Sequence, residues 1–335
     1  MQPSFREELG TMLPDQIVFP YFAEREAPWL LSQRLHDGPA RIADLRRGPS
    51  ASLLTRPGVR EVIANCGDGR ITPARLAPLA DPLDAFGREH ALLGDRATEA
   101  ALDVATAADW QDFTLSFDDW PNRTWRDDWR QLQLSRRGGN LVLQLNFPDS
   151  YRWEFYRVFG AEARDWFEWY GHPVRDHGPI TMAWARLDLD PWGRDLLIEE
   201  LQSDWFREMR ATRKHAISGG SLADRRRRGV FIDQTLASYG RIWARVLMLA
   251  VLAFARRELG VSRVWLHQPR TGEKLKHIRD VLPPRSLYTD LPRRFGFRPT
   301  ERAPEFLYDA RSQVLARLRR SGKPLFWRMD FEEVA

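Results

Sequence analysis

The 335-residue chain is poor in three things: it has one cysteine, four lysines and no apolar run longer than ten residues. A lone Cys66 excludes a disulfide framework and any zinc cage built on cysteine. The longest apolar run, residues 246–255, is bounded by Arg245 and Arg256 and is too short to span a bilayer. No signal-like segment opens the sequence, so the expectation is a soluble cytoplasmic protein with no membrane partner. A composition of 43% hydrophobic and 29% charged residues excludes disorder as the main state. The length allows one large domain or two modest ones.

What the chain has in place of lysine is arginine, which stays charged at any accessible pH and grips phosphate with two prongs. The formal net charge is +5. Residues 205–230 concentrate it, with eight basic residues against Glu208 and Asp224. Such a segment reads either as a solvated loop or as a polyanion or phosphate site.

Residues 1–108 read as a mainly helical N-terminal region. Residues 58–63 look like a short strand, followed by a helix start with Thr72 as N-cap and Pro73 at the first position. An Ala-rich helical pattern covers 95–108. From residue 109 to 335 the texture changes. Ten of the 14 tryptophans lie between Trp110 and Trp205, the signature of a dense core or an aromatic-lined pocket. Leu132, Leu134, Leu141, Leu143 and Leu145 alternate around the Arg-Gly-Gly-Asn turn at 137–140, which predicts a hairpin. A second hairpin is predicted from 180–189 and 195–203 about the Asp-Pro-Trp-Gly turn at 190–193, with helical spacing over 151–170 between the two. After the basic insert, 206–230, come one long helix over 233–259, a strand over 261–267, a short helix over 272–281, a strand-like stretch at 295–300, a helix over 303–320 and a last strand over 324–331. The predicted fold class is α+β, a mixed and largely antiparallel sheet with helices on its faces.

The segment Leu-Leu-Ile-Glu-Glu-Leu-Gln-Ser-Asp-Trp, residues 196–205, is the most suggestive for chemistry. Strand alternation would put Ile198, Glu200, Gln202 and Asp204 on one face and Leu197, Glu199, Leu201 and Ser203 on the other. Carboxylates midway along an apolar strand are expensive to bury unless paired or put to use, and apolar surroundings can raise one toward general-base range. Pairing of Glu199 and Glu200 with arginines is the structural alternative. His172 and His177 flank Asp176, but Pro173, Gly178 and Pro179 make a loop of them, which favours hydrogen bonding to the neighbouring hairpin over metal binding. Cys66 has no histidine nearby in sequence and does not read as a nucleophile. No metal is expected.

Two resemblances follow from these residues. Tyr151-Arg152, His172 and His177, the Ala-Trp-Ala-Arg of 183–186, Gly193 and the Ile-Glu-Glu-Leu-Gln-Ser-Asp-Trp of 198–205 resemble a module of very large phage and conjugative-element polyproteins, whose signature reads "YRE … HF … AHVR … G … IEEIQSDW". That likeness runs from about residue 58 to about residue 296, with a longer Arg-rich insert after Trp205, and it carries kinship more than chemistry. More loosely, the succession of a long strand, a long helix, a strand, a short helix and the Tyr288 to Gly296-Phe297 turn resembles the GNAT acyltransferase fold. That likeness implies Tyr288 as the acid protonating a leaving thiolate, Glu200 or else Glu199 as base, Ser203 and Asp204 beside them, and acetyl-CoA or another acyl-CoA as cofactor. Arg225, Arg226, Arg227, Arg228 and Gly229 only remotely match that family's phosphate loop.

The expectation is an acyltransferase-like enzyme moving an acyl, or an aminoacyl, group from a thioester or ester donor to an amine of a small molecule, peptide or protein. The alternative is a non-catalytic mobile-element accessory protein that binds nucleic acid or a protein partner through its arginine-rich surface. A metal-dependent hydrolase built on Glu199, Glu200 and Asp204 is a third reading.

Overall fold

The structure is a computed structural model that describes residues 16–35, 38–82, 95–121, 133–169, 171–175, 178–216, 218, 220–276 and 284–331. The chain divides into two compact units: Met1–Phe19 with Asp112–Met329, and Pro20–Gln111 with Asp330–Ala335.

The smaller unit is helical. Its described helices are α1 (Glu26–Arg34), α2 (Ile42–Arg47), α3 (Ala51–Leu54), α4 (Pro57–Ala64), α5 (Pro73–Ala80) and α6 (Arg96–Ala107). They bury Leu31, Val59, Val62, Leu76, Leu79 and Ala101 completely. Thr72 caps α5 by accepting the Arg75 N–H, with Pro73 at the first position, as its sequence foretells. Asp95 caps α6 by accepting from Ala97 and Thr98. Residues 58–63 form no strand. Pro57 starts α4 there, because a proline at the first helical turn loses no hydrogen bond.

The larger unit is built on an eight-stranded, mostly antiparallel sheet. Its strands are β1 (Ile17–Tyr21), β4 (Gln111–Trp120), β5 (Asn140–Asn146), β6 (Thr181–Leu189), β7 (Asp195–Gln202), β8 (Arg263–His267), β9 (Arg298–Thr300) and β10 (Phe326–Asp330). They run in the order β1-β4-β5-β6-β7-β8-β10-β9. Two short strands elsewhere, β2 (Ala40–Arg41) and β3 (Arg70–Ile71), pair with each other. Strands β4 to β7 form an antiparallel meander, and β7 pairs with β8 in parallel. The crossover between them carries α8 (Asp204–Ala216), α9 (Leu222–Ala237) and α10 (Tyr239–Arg257). Helix α7 (Asp149–Phe159) precedes β6, while α11 (Pro269–Leu275), α12 (Leu291–Arg294) and α13 (Tyr308–Arg319) follow β8. The sheet is therefore α+β in class, with helices on its faces.

The hairpin about 190–193 forms as the alternation dictates. The first hairpin differs. β5 pairs with β4, and Leu134 lies in an irregular stretch, while Leu132 lies outside the described residues. The leucine alternation was misleading because the polar groups of this stretch have other partners. Ser135 bonds Glu199, and Arg136 makes a two-pronged salt bridge to Asp188 at 2.7–3.1 Å.

The long helix also differs: α9 and α10 meet at a 41° bend. At the break Ser238 donates its hydroxyl to the Gln234 carbonyl at 2.8 Å, a competing bond that bends helices. The basic insert is no loop, since α8 and the start of α9 occupy most of it. A capping box of Ser221 and Asp224 opens α9. No single helix among the described residues is long and apolar enough to cross a membrane.

Candidate active site

The chemistry-bearing residues converge at the C-terminal end of β7, and a register shift explains how. β7 pairs Leu187 with Ile198 but Arg186 with Glu200, so Glu199 is an extra residue in the ladder. Such a bulge breaks strict alternation. Glu199 stays beside His267, one step past the Ile198–Leu266 pair, and Glu200 comes opposite Arg186. Both glutamates then feel Arg186, in place of the opposite faces that simple alternation expects.

Glu199 is wholly enclosed. It accepts the Ser135 N–H at 3.0 Å and the Ser135 hydroxyl at 2.9 Å, and it lies 3.0 Å from His267 Nε2. Its backbone carbonyl accepts from Lys276 Nζ at 2.8 Å. Burial works to raise this carboxyl, but His267, Lys276 and Arg186 overcome it and hold it well below the ordinary range. Burial lowers His267 against the pull of Glu199, so the ring is neutral at pH 7. A neutral ring that donates from Nε2 to Glu199 leaves Nδ1 as a bare acceptor, and Nδ1 is indeed buried without a partner. Ser135, His267 and Glu199 thus share one hydrogen-bonded knot, with the carboxylate on the same ring nitrogen as the serine. A nucleophilic triad needs them on opposite nitrogens.

Glu200 is different, with its side chain 19% exposed. Arg186, fully buried, grips it through Nε at 3.0 Å and through Nη2. Burial works to raise Glu200, and Arg186 and Lys276 outweigh it, so the carboxyl is held low and is a weak base. Arg186 Nη1 is buried with no hydrogen-bond partner among the described residues. The Arg186 guanidinium lies 5.3 Å from the Trp120 ring centroid.

Next along the chain, Ser203 is a capping residue. Its hydroxyl donates to the Met182 carbonyl at 2.6 Å and receives the Phe206 N–H at 3.5 Å, which opens α8. Asp204, in the first turn of α8, lies 2.7 Å from His172 Nδ1 and accepts from Gln202 at 2.8 Å and Arg207 at 3.0 Å. Burial works to raise Asp204, but His172 overcomes it and the carboxyl stays low. His172 is held edge-on to Trp169, ring centroids 4.5 Å apart, and its side chain is 12% exposed. With Nδ1 directed at Asp204, its Nε2 makes no hydrogen bond among the described residues, which is the arrangement of a general base oriented by a carboxylate.

Tyr288 does reach β7. Its hydroxyl oxygen accepts the Leu201 N–H at 3.3 Å, beyond the last β7–β8 pair, so the end of β7 is splayed from β8. Burial, and then Glu200, push the phenol up and keep it protonated. Arg225, Arg226 and Arg227 stand exposed on α9 and make no salt bridge among the described residues, while Arg228 is half-buried, 5.8 Å from the Phe159 ring centroid. Gly229 lies inside α9, where amides face their own helical ladder, so this segment meets a phosphate only with side chains.

Among the described residues no group of three His, Cys, Asp or Glu is arranged to hold a metal ion. His177 lies outside the described residues. Gln202, Arg186 and above all His172 are site residues that pattern reading undervalues. Prolines hide His172 in a loop, where neither helical nor strand spacing singles it out. Set against known proteins, the chain matches no family model, no curated protein and no solved structure. The chemistry of this site has to be read from its own atoms.

Proposed function

We propose that the protein is a group-transfer enzyme of the acyltransferase type, moving an acyl group from a thioester or ester donor to an amine. One observation carries this reading: the His172–Asp204 pair at 2.7 Å, open at Nε2 and beside Glu200. In this scheme the amine nitrogen attacks the donor carbonyl while its proton passes to His172 Nε2, and Asp204 stabilises the imidazolium formed. The Nη1 of buried Arg186, which has no hydrogen-bond partner among the described residues, offers a donor for the tetrahedral oxyanion. The carbon–sulfur or carbon–oxygen bond then breaks, the leaving group takes the proton held by the His172 imidazolium, and the Tyr288 hydroxyl, kept protonated by burial, offers it a hydrogen bond. Glu200 serves as the partner that orients Arg186 rather than as the base, because its carboxyl is held low.

The splayed end of β7 supports a donor site next to Tyr288, and acyl-CoA is the donor to try first. The test is thiol release from a panel of acyl-CoA thioesters in the presence of primary amines, alongside calorimetry with acetyl-CoA. Turnover by the wild type that falls about 10²–10⁴-fold in His172→Ala supports the reading. No thiol release with any thioester, or equal rates for the variant, overturns it.

A further inference from the structure

A groove of about 630 Å³ runs between α7 and α9, away from the residues of the proposed reaction. On α9 its wall is a single helical stripe, Ala223, Arg226, Arg227, Val230, Phe231 and Gln234. On α7 the facing stripe is Glu154, Arg157 and Val158. The floor is apolar and the rim is cationic, with three arginines against one glutamate. Arg157 meets Glu154 only at 3.7 Å with its side chain 77% exposed, and Arg226 and Arg227 have no salt bridge among the described residues.

Local energetics do not favour this arrangement. Arg225 to Arg228 crowd the first two turns of α9, the end of a helix where the backbone dipole disfavours cations. The one acid of the first turn, Asp224, is engaged in the capping box. Val230 is 48% exposed and Leu222 is 76% exposed on the same helix, so this end of α9 is not held for its contribution to the core. Beside the groove, one helical turn before Arg157, Trp153 stands 67% exposed with the Arg152 guanidinium 5.2 Å from its ring. Unneutralised arginines around an apolar trough, with a solvent-exposed indole at the edge, match a ligand that alternates phosphate with flat apolar rings.

We infer that this groove binds single-stranded nucleic acid, with Arg157, Arg226 and Arg227 on the phosphates and Trp153 stacking a base. The site is independent of the acyl-transfer proposal, since neither His172 nor Tyr288 contributes to it.

The experiment is fluorescence anisotropy of a labelled oligo-thymidylate of about 12 nucleotides, a length within the span of known single-strand sites. Binding to the full chain should weaken roughly twentyfold between about 50 and 200 mM salt if three phosphates are neutralised. In Arg226→Ala/Arg227→Ala the slope of log affinity on log salt should fall by about 1.4. Arg226→Lys/Arg227→Lys should keep most of that slope. Trp153→Ala should lose about tenfold or more in affinity at every salt concentration. All these side chains lie on the surface, so unchanged melting curves separate lost binding from lost fold. The inference is overturned by no binding at low salt, by wild-type affinity in the double alanine variant, by a duplex bound as tightly as the single strand, or by binding to phosphatidylserine vesicles without binding to the oligonucleotide.

Discussion

The larger unit holds two histidine–carboxylate pairs a few residues apart on the same strand end, and they serve opposite ends. Glu199 and His267 are both fully buried, and every oxygen of the carboxylate is engaged by Ser135 or the ring. Asp204 and His172 are as close, at 2.7 Å, yet the ring keeps some exposure and a nitrogen with no hydrogen bond among the described residues. Proximity of the two residue types is therefore not what marks a site. The difference lies in whether the ring has a nitrogen without a hydrogen bond that also keeps some exposure: His267 Nδ1 is unpartnered among the described residues but its side chain is 1% exposed, while the His172 side chain is 12% exposed.

The largest effect should come from breaking the enclosed pair. Glu199→Ala leaves the Ser135 amide, the Ser135 hydroxyl and His267 Nε2 without their buried acceptor, and should cost about 3 kcal/mol or more in urea unfolding. His172→Ala should do the reverse, lowering turnover by two to four orders of magnitude while shifting unfolding by less than about 1 kcal/mol. If the two variants exchanged these phenotypes, the distinction between the pairs would be lost.

Acid sharpens the comparison further. His267 is depressed from 6.5, so below that pH the unfolded chain takes up a proton that the folded chain refuses. The part of the stability that rests on His267 is fully present above about pH 6.5 and declines as the pH falls, while Glu168, pushed up to about 7 by burial, and Asp188, pushed up to about 6 by burial, work in the opposite direction. Glu199, depressed from 4.5 to about 2, should add a further loss of roughly 3 kcal/mol between those limits. The difference in denaturant midpoint between wild type and Glu199→Gln, measured from pH 8 downward, isolates the Glu199 part and should shrink as the pH falls below about 4.5. The smallest effect belongs to Tyr288→Phe, which removes one hydrogen bond to Leu201 and should cost about 1 kcal/mol, read as a drop in melting temperature.

Much of this fold is legible in the sequence. The β6–β7 hairpin follows from alternation around Pro191 and Gly193, and the α5 start from Thr72 and Pro73. The carboxylate strand and Tyr288 are legible as neighbours through the order of elements. What is hidden has a physical cause in each case. The extra residue at Glu199 leaves no trace in composition, because a bulge changes the phase of a strand and not its residue types. The bend at Ser238 needs no proline, only a hydroxyl that shares the Gln234 carbonyl with the Ser238 amide. Leu134 looks like strand because leucine alternation ignores Ser135, whose backbone and side chain are already committed to Glu199. His172 becomes visible only once a carboxylate 32 positions later is folded against it.

The splay after Ile198 has a mechanical corollary. The meander of β4 to β7 and the group of β8, β10 and β9 are zipped together over four residue pairs, Asp195–Arg263 to Ile198–Leu266. Past that staple the junction is bridged by side chains, His267 on the Glu199 carboxylate, Lys276 on the Glu199 carbonyl and Tyr288 on the Leu201 amide. Beyond Ile198, then, side-chain bonds and not backbone rungs hold the two plates together.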